Sequence, residues 1–310
     1  MEGEDAEAEI ARHRQRTTSR RQFARDPRFE QISPEVGELD EAAVADGMRD
    51  YPDETLALLA DLVGATDRRL RELAKRIAGS IFIDIARRGP TRQRGVGRMH
   101  TQPYRPDAGD LDFDASLEGI VDGMRDGKPS AVDTDRLRVR GWVQPATAMC
   151  LLVDRSGSMG GKPLATAALA AAAVASLSPS DYSVLAFGHD VVVAKGQSSV
   201  KAGESVVNDV LSLRGFGTTD LAGALSAAHA QLARSRAGRK VVVLLSDCRA
   251  TVAGDAVAAA ARLDELVIVA PESDSVEAQA FAVSVGATCL TVSGPSAVAE
   301  AMSRALERQH

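Results

Sequence analysis

From about residue 146 to the end of the chain, short apolar runs alternate with longer alanine-rich runs, a pattern that few folds can accommodate. The apolar runs are rich in Val, Ile and Leu and have the length of strands, whereas the alanine-rich runs have the length of helices. Strands are predicted at 148–154, 182–188, 191–195, 240–247, 265–271 and 287–292. Strands that alternate with helices predict a doubly wound, Rossmann-like α/β domain with a mostly parallel sheet.

One connection in this half is too short for a crossover helix. Gly188, His189 and Asp190 join the second and third predicted strands, which is the length of a hairpin loop. The third strand is therefore predicted to be antiparallel and to lie at an edge of the sheet.

Residues 1–143 have a different texture and are predicted to form a mainly helical N-terminal region, followed by the α/β domain at 144–310. Apolar residues recur at helical spacing within 53–64 and 66–89, a further helix is predicted at 114–127, and a strand at 137–143. The Arg/Gly-rich segment at 87–109 is expected to be flexible, either as a surface read by a partner or as a solvated linker.

Composition excludes several classes of function. The net charge of -6 and the pI near 5.5 argue against a nucleic-acid-coating protein, which needs an excess of Lys and Arg. The longest uncharged run, 163–180, is too weakly apolar to predict a membrane span, and the N-terminus is charged where a secretory signal is apolar. An odd set of three cysteines without CxxC spacing is typical of reduced thiols, so a cytoplasmic protein is expected.

Polar side chains follow the first predicted strand of the α/β domain in the stretch LLVDRSGSMGG, residues 151–161. Asp154, Ser156 and Ser158 stand at every second position of a glycine-bearing loop, at the sheet edge where open α/β folds bind ligands. Three oxygen-bearing side chains that converge there suit a hard divalent cation, and Mg²⁺ is the expected one, with Mn²⁺ as a second candidate. Alternatively the stretch is only a strand-to-helix turn in which Ser158 caps the helix.

Two other segments end at the same predicted edge. Thr218 and Thr219 occupy a glycine-rich turn before a helix, and Asp247 closes a later apolar strand. The ordered set of D-x-S-x-S, a threonine at a helix start and an aspartate after a buried strand resembles the metal-ion-dependent adhesion site (MIDAS) of von Willebrand factor A (VWA) domains. The resemblance covers about residues 144–310.

The resemblance implies a ligand set for the metal. Ser156 and Ser158 would coordinate directly, Thr219 would join them in the open site, and Asp154 and Asp247 would act directly or through water. Thr219 is preferred to Thr218 because it directly precedes Asp220, as the family pattern requires, although a shift by one residue stays open. A glutamate or aspartate of a partner protein would then take the last coordination position.

The arrangement of the whole chain is similar to that of CoxE-like proteins and to the C-terminal part of the magnesium-chelatase D subunit. The similarity rests on a helical first half, the Arg/Gly-rich segment, the D-x-x-x-S-L pattern at 112–117 and the SDCRA segment at 246–250. It implies an intracellular bacterial adaptor that works with a MoxR-type AAA+ ATPase in client remodelling or metal-cofactor maturation. Many relatives have glycine at the position of Cys248. The cysteine is expected to be either a reactive thiol or a small buried side chain that fills space.

Enzymatic patterns are poorly matched. Neither a P-loop nor a G-x-S-x-G nucleophile elbow is present around Ser156 and Ser158, and the predicted metal loops contain no histidine to act as a base. The D-x-D-x-D stretch at 110–114 lacks the glycine and the final carboxylate of a calcium loop. The alternatives to an adaptor are a metal-dependent hydrolase of unknown substrate and a structural domain whose site stays empty.

Overall fold

A computed structural model describes residues 18–88, 98–104, 110–122, 124–125, 128–129, 136–143, 147–155, 160–213, 215 and 217–307. The helices are α1 (Arg20–Phe23), α2 (Phe29–Ile32), α3 (Glu41–Asp50), α4 (Pro52–Leu62), α5 (Arg68–Arg88), α6 (Phe113–Asp122), α7 (Gly161–Leu177), α8 (Gly203–Leu211), α9 (Leu221–Leu232), α10 (Ala256–Ala260), α11 (Val276–Val285) and α12 (Val298–Glu307). The strands are β1 (Arg98–Pro103), β2 (Asp110–Leu111), β3 (Met124–Arg125), β4 (Lys128–Pro129), β5 (Arg138–Val143), β6 (Thr147–Asp154), β7 (Tyr182–Phe187), β8 (Val191–Lys195), β9 (Arg239–Leu245), β10 (Glu265–Pro271) and β11 (Thr288–Val292).

Two compact units make up the chain. The described residues of 1–90 and 147–310 form the first unit, and those of 91–146 form the second. The first unit therefore contains the N-terminal helices α1 to α5 together with the whole α/β sheet.

The sheet of the first unit has six strands in the order β11-β10-β9-β6-β7-β8. All neighbouring pairs are parallel except β7 and β8, which form the predicted antiparallel edge. The predicted doubly wound fold with one antiparallel edge strand is thus confirmed. Strand β6 lies in the middle of the sheet. The chain first continues from β6 to β7 on one side and later returns to β9 on the other side of β6, so the strand order reverses at β6.

Both faces of the sheet are covered, which explains why the strands read as continuous apolar runs. Alternate residues of β6 enter two separate cores, with Met149, Leu151 and Val153 on one face. Cys150 and Leu152 lie on the other face, which packs against α9, α10 and α11.

Helix α7 is buried almost all round, from Leu164 to Val174. It lies against the sheet on one side and against α4, α5, α8 and α12 on the others. Its alanines leave room for these neighbours to approach closely, and a helix without a polar face needs such cover. Leu56, Leu59 and Phe82 of the N-terminal helices accordingly share one apolar cluster with α7. Among the described residues, no helix has both the length and the apolar character needed to cross a bilayer.

The second unit consists of a three-stranded antiparallel sheet in the order β1-β5-β2, a β3-β4 pair and helix α6. Asp112 stands just before α6 and accepts hydrogen bonds from Thr101 Oγ1 (2.8 Å) and from Ala115 N (3.2 Å). Ser116 Oγ accepts from Arg138 N at 2.8 Å and donates to Arg138 O at 3.1 Å. The polar members of the D-x-x-x-S-L pattern therefore join α6 to its sheet.

Within the segment expected to be flexible, 87–109, residues 98–103 form strand β1 and pair with β5 over six residues. The expected flexibility is therefore corrected for these six residues. Their backbone hydrogen bonds to β5 order them, and amino-acid composition does not predict such pairing. Residues 89–97 and 105–109 lie outside the described part of the chain.

Candidate metal edge

The carboxyl end of β6 places Asp154 at the centre of the sheet edge, as predicted. Arg155 N donates to Phe187 O at 2.7 Å, so the chain leaves β6 in contact with the end of β7. Ligands of open α/β sheets bind where the strand order reverses, and Asp154 lies at that point. Ser156 and Ser158, the next two predicted ligands, lie outside the described residues.

Asp247, two residues beyond the end of β9, lies at the same edge and lines one cavity together with Asp154 and Ser246. Ser246 Oγ donates to Asp154 Oδ2 at 2.5 Å and accepts from Cys248 N at 2.9 Å. Ser246 thus fixes one carboxylate oxygen of Asp154 relative to the loop that carries Asp247. Ser246 is not among the predicted site residues. A serine next to the aspartate that follows a strand is nevertheless a sequence feature that could have indicated it.

Thr219 is 1% exposed, and the structure places it in the loop that precedes α9. Its backbone N donates to Thr251 Oγ1 at 2.7 Å, and its carbonyl accepts from Thr251 N and Val252 N. Its own Oγ1 has no hydrogen-bond partner in the described part of the chain. A buried hydroxyl is normally satisfied, so this atom is available as a ligand oxygen.

Thr218, the alternative ligand, has a different environment. Its side chain is exposed, and its Oγ1 lies 3.4 Å from His189 Nδ1, in the turn between β7 and β8. The next residue, Asp220, caps α9 by accepting from Gly223 N at 2.9 Å, and its N donates to Gly188 O at 2.8 Å. The two threonines therefore differ in burial and in partners, which their spacing did not reveal.

Cys248 has a left-handed backbone, with φ of 62°, and is the only non-glycine with positive φ among the described residues. Glycine adopts this conformation without strain, which accounts for the glycine that the family pattern favours here. Burial, and to a smaller extent the nearby Cys289, Asp247 and Asp154, raise the pKa of the Cys248 thiol to about 12. The thiol is therefore protonated at neutral pH, as expected of a buried filler.

Arg249 follows, but its guanidinium group is directed to other carboxylates. It pairs with Asp274 at 2.6 Å and with Glu277 at 3.3 Å, while its backbone N donates to Asp247 Oδ1 at 3.0 Å. The hydrogen bond to Glu277 and the charge of Asp274 raise the pKa of Arg249, and the hydrogen bond from Arg249 in turn lowers the pKa of Glu277. The backbone N of Arg249 thus helps to position Asp247, while its guanidinium group is bonded to Asp274 and Glu277.

Helix α4 reaches the same edge of the sheet through three carboxylates. Asp61 Oδ1 accepts from Gly161 N at 2.7 Å, at the first residue of α7. Glu54 accepts from Lys162 Nζ at 3.0 Å, and Asp53 accepts from Ser296 N at 2.8 Å in the short 3-10 helix Pro295–Ala297. The N-terminal helices are therefore attached to the two segments that flank the cavity.

As a metal centre, the edge offers two carboxylates and a buried hydroxyl in its described part. Among those residues, no three His, Cys, Asp or Glu side chains come together in a way that could hold an ion. A site here depends on hydroxyl oxygens in addition to Asp154 and Asp247, and such a donor set fits a hard cation such as Mg²⁺. The unpaired Thr219 Oγ1 is consistent with that fit.

The doubly wound sheet and the oxygen-bearing side chains at its edge make this an α/β protein with a candidate metal site. Comparison of the sequence with protein families then identifies the type of domain. Residues 149–250 match the family model of the von Willebrand factor type A domain. The chain therefore contains a VWA domain. A comparison with curated protein sequences gives no significant match.

Solved structures that match part of this chain have little sequence identity to it. Proximal thread matrix protein 1 of the mussel byssus, with a zinc-occupied MIDAS motif, is 15% identical with a TM-score of 0.41, over 52% of this chain and 47% of that one. A von Willebrand factor type A protein from Catenulispora acidiphila is 16% identical with a TM-score of 0.40, over 53% and 42%. The vWF domain of the type V pili tip protein Mfa5 from Porphyromonas gingivalis is 22% identical with a TM-score of 0.30, over 34% and 38%. This chain thus spans less than half the length of each of these three proteins.

Proposed function

We propose that the chain is a metal-dependent adaptor that binds an acidic side chain of a partner protein. Asp154, Ser156, Ser158, Thr219 and Asp247 hold Mg²⁺, or Mn²⁺ in its place, and leave one coordination position to a glutamate or aspartate of the partner. Hydroxyl and water ligands neutralise the ion only in part, so it attracts an external carboxylate.

One observation carries this proposal: the hydroxyl of Thr219 is buried and has no partner among the described residues. The backbone of Thr219 is bonded to Thr251 and Val252, in the loop that follows Asp247, so Thr219 lies at the sheet edge that also presents Asp154 and Asp247. An unsatisfied buried hydroxyl costs about 1 to 3 kcal/mol. Coordination to an ion offsets that cost. The exposed side chain of Thr218, which lies beside His189, supports the assignment of Thr219 rather than Thr218.

We further propose that the partner is a MoxR-type AAA+ ATPase in the cytoplasm, and that the pair remodels a client or matures its metal cofactor. The similarity of the chain's arrangement to CoxE-like and chelatase D proteins supports this assignment. The N-terminal region, residues 1–143, would dock on the ATPase or on the client, while the domain at 144–310 binds the acidic residue.

Isothermal titration of Mg²⁺ and Mn²⁺ tests the adaptor, with and without a MoxR-type ATPase. We expect the wild-type protein to bind metal, and to bind it more tightly when the ATPase supplies its carboxylate. Asp154→Asn is the sharpest variant, because its side-chain oxygen can still accept from Ser246 while the negative charge is removed. Metal binding that is unchanged in Asp154→Asn would contradict the proposed ligand set, and ATPase binding that persists in EDTA would contradict the metal bridge.

The alternative, a metal-dependent hydrolase, draws on a single observation. His189 Nδ1 lies 3.4 Å from Thr218 Oγ1, so an imidazole stands one residue from the proposed ligand Thr219. A base at this position is a requirement of hydrolysis but not of adhesion. Mg²⁺-dependent turnover of ester or phosphodiester substrates that is lost in His189→Ala would favour the enzyme over the adaptor.

A further inference from the structure

A cavity of about 660 Å³ opens at the metal edge, on the face of the sheet that α7 covers. The first turns of α7 form one wall, and the carboxyl ends of β6, β9, β10 and β11 form the other. Its volume lies within the range of about 300 to 1,000 Å³ that is typical of ligand pockets. Its surface is mainly apolar, from Val153, Pro163, Ala167, Leu245, Pro271 and Val292.

The polar lining of the cavity includes four charged side chains. Asp154 and Asp247, the carboxylates assigned to the metal, both line the cavity, so it is continuous with the proposed metal centre. Lys162 also lines the cavity, but its ammonium group is paired with Glu54 at 3.0 Å. Glu272 adds another negative charge, which disfavours an acidic occupant away from the metal.

We propose that this cavity binds a large aliphatic or aromatic side chain of the same partner segment whose carboxylate reaches the metal. The proposal rests on the adaptor function proposed above, and it defines the partner's recognition segment as an acidic residue with an apolar residue nearby. In an extended peptide, residues i and i+2 point to the same side and lie about 7 Å apart. An apolar side chain two residues from the acid is therefore the expected occupant.

Apolar lining explains the preference for such a side chain. Water that fills a space bounded by Val153, Leu245 and Val292 has few hydrogen-bond partners there, and its release favours an apolar occupant. Burial of one Leu or Phe side chain changes binding by roughly tenfold or more. The metal thus supplies the common anchor for an acid, and the cavity supplies discrimination among acidic segments.

Peptide binding to the full chain, with a matched pair of variants, tests the proposal. Thr166 is half-buried, lines the cavity and lies on α7, where its Oγ1 donates to Lys162 O at 2.7 Å. Thr166→Phe places a ring in the cavity, whereas Thr166→Val removes the same hydroxyl without filling the space. The probe is an array of seven-residue peptides with a central glutamate and random flanking positions, read in Mg²⁺ and in EDTA.

We expect the Mg²⁺-dependent binders of wild-type protein to be enriched in Leu, Ile, Met, Phe or Trp two residues from the glutamate. Thr166→Phe should bind those peptides about tenfold more weakly, while Thr166→Val binds them like wild type and all three proteins bind Mg²⁺ equally. Glutamate-dependent binding without apolar enrichment, or binding unaffected by Thr166→Phe, overturns the pocket and leaves the adaptor intact. Absence of any binder that needs both Mg²⁺ and glutamate overturns the pocket and the proposed adaptor together.

Discussion

Among single residues, Thr219 combines nearly complete burial with a hydroxyl that has no partner in the described part of the chain. Its backbone is fully engaged, with its N bonded to Thr251 Oγ1 and its carbonyl bonded to two amides of the same loop. These bonds hold the residue in one position whatever its side chain does. The side-chain hydroxyl is then the one polar group of Thr219 that lacks a partner in the described structure, and replacing it need not disturb the loop.

The isosteric change Thr219→Val should therefore have opposite effects on stability and on metal binding. In EDTA, removal of the unsatisfied hydroxyl should raise the free energy of unfolding by about 1 kcal/mol. Mg²⁺ affinity should fall by roughly tenfold or more, as it does when groups that support a metal site are lost. Urea unfolding in EDTA and titration of Mg²⁺ measure the two effects. Thr218→Val is the control, and a larger loss of affinity in that variant would assign the ligand to Thr218 instead.

Cys248 provides a second test at this scale, since its backbone lies in the left-handed region with φ of 62°. Cys248→Val should lower the free energy of unfolding by about 2 kcal/mol, because β-branched side chains are strained there. In Cys248→Gly, relief of strain offsets the loss of a buried thiol, so stability should stay within about 1 kcal/mol of wild type. Thermal unfolding of both variants compares them, and equal destabilisation would show that packing rather than backbone conformation sets the residue.

Among the secondary-structure elements, α4 packs against α7, and this contact, together with those of α5 with α7 and α8, attaches the N-terminal helices to the VWA domain. Leu56, Leu59 and Leu62 of α4 are fully buried in the cluster that contains α7. Asp61 lies beside this apolar surface and accepts from Gly161 N. Burial raises the pKa of Asp61, and the hydrogen bond from Gly161 lowers it only in part. Ionisation of Asp61 is therefore less favourable in the folded protein than in the unfolded chain.

The pH dependence of stability follows from that direction. A carboxyl whose folded pKa is raised contributes stability below its unfolded pKa of about 3.9, and the contribution is lost as pH rises through the folded value. Asp61→Asn keeps an oxygen for Gly161 N and cannot ionise, so it should be more stable than wild type at pH 7. The difference should shrink toward pH 4 in urea titrations. Asp61→Ala, which loses the acceptor, should be about 1 kcal/mol less stable, and a constant advantage of Asp61→Asn at all pH values would contradict this account.

The sequence predicts the strands of the sheet more closely than it predicts the contacts of these helices. Continuous apolar runs predict the six strands of the sheet to within two residues at each end, because buried parallel strands leave such runs. The sequence contains no comparable pattern that predicts which element packs against the apolar face of a helix. Gly161 is bonded to Asp61, a hundred residues earlier in the chain, and no periodicity indicates that pairing. Strand β1 is missed for a related reason, since backbone pairing with β5 gives it order inside an Arg/Gly-rich segment.

The candidate site divides in the same way. Side chains at strand ends, such as Asp154 and Asp247, are visible as a break from apolar to polar residues. Ser246 and Thr251 support the site through contacts between loops that are distant in sequence. Burial likewise distinguishes Thr218 from Thr219. The sequence cannot predict which of two identical neighbouring residues is the buried one.

The two compact units of the chain differ in their secondary structure. The first combines the N-terminal helices with the six-stranded sheet, and its core extends across both. The second consists of small antiparallel sheets and α6, held by the bonds of Asp112 and Ser116. Trp142, the single tryptophan of the chain, lies in β5 of the second unit. Fluorescence therefore reports on the second unit, while the far-ultraviolet circular dichroism of helices reports mainly on the first.

Two compact units are expected to unfold in separate transitions. Leu59→Ala, in a helix of the first unit, removes a fully buried side chain and should cost about 3 kcal/mol. Because α4 shares its core with the sheet, the whole helical transition in urea should move down by roughly 1 to 2 M. The fluorescence transition of Trp142 should stay in place. If both transitions move together, the two units unfold as one cooperative body. If the helical transition splits, the N-terminal helices are a unit separate from the VWA sheet.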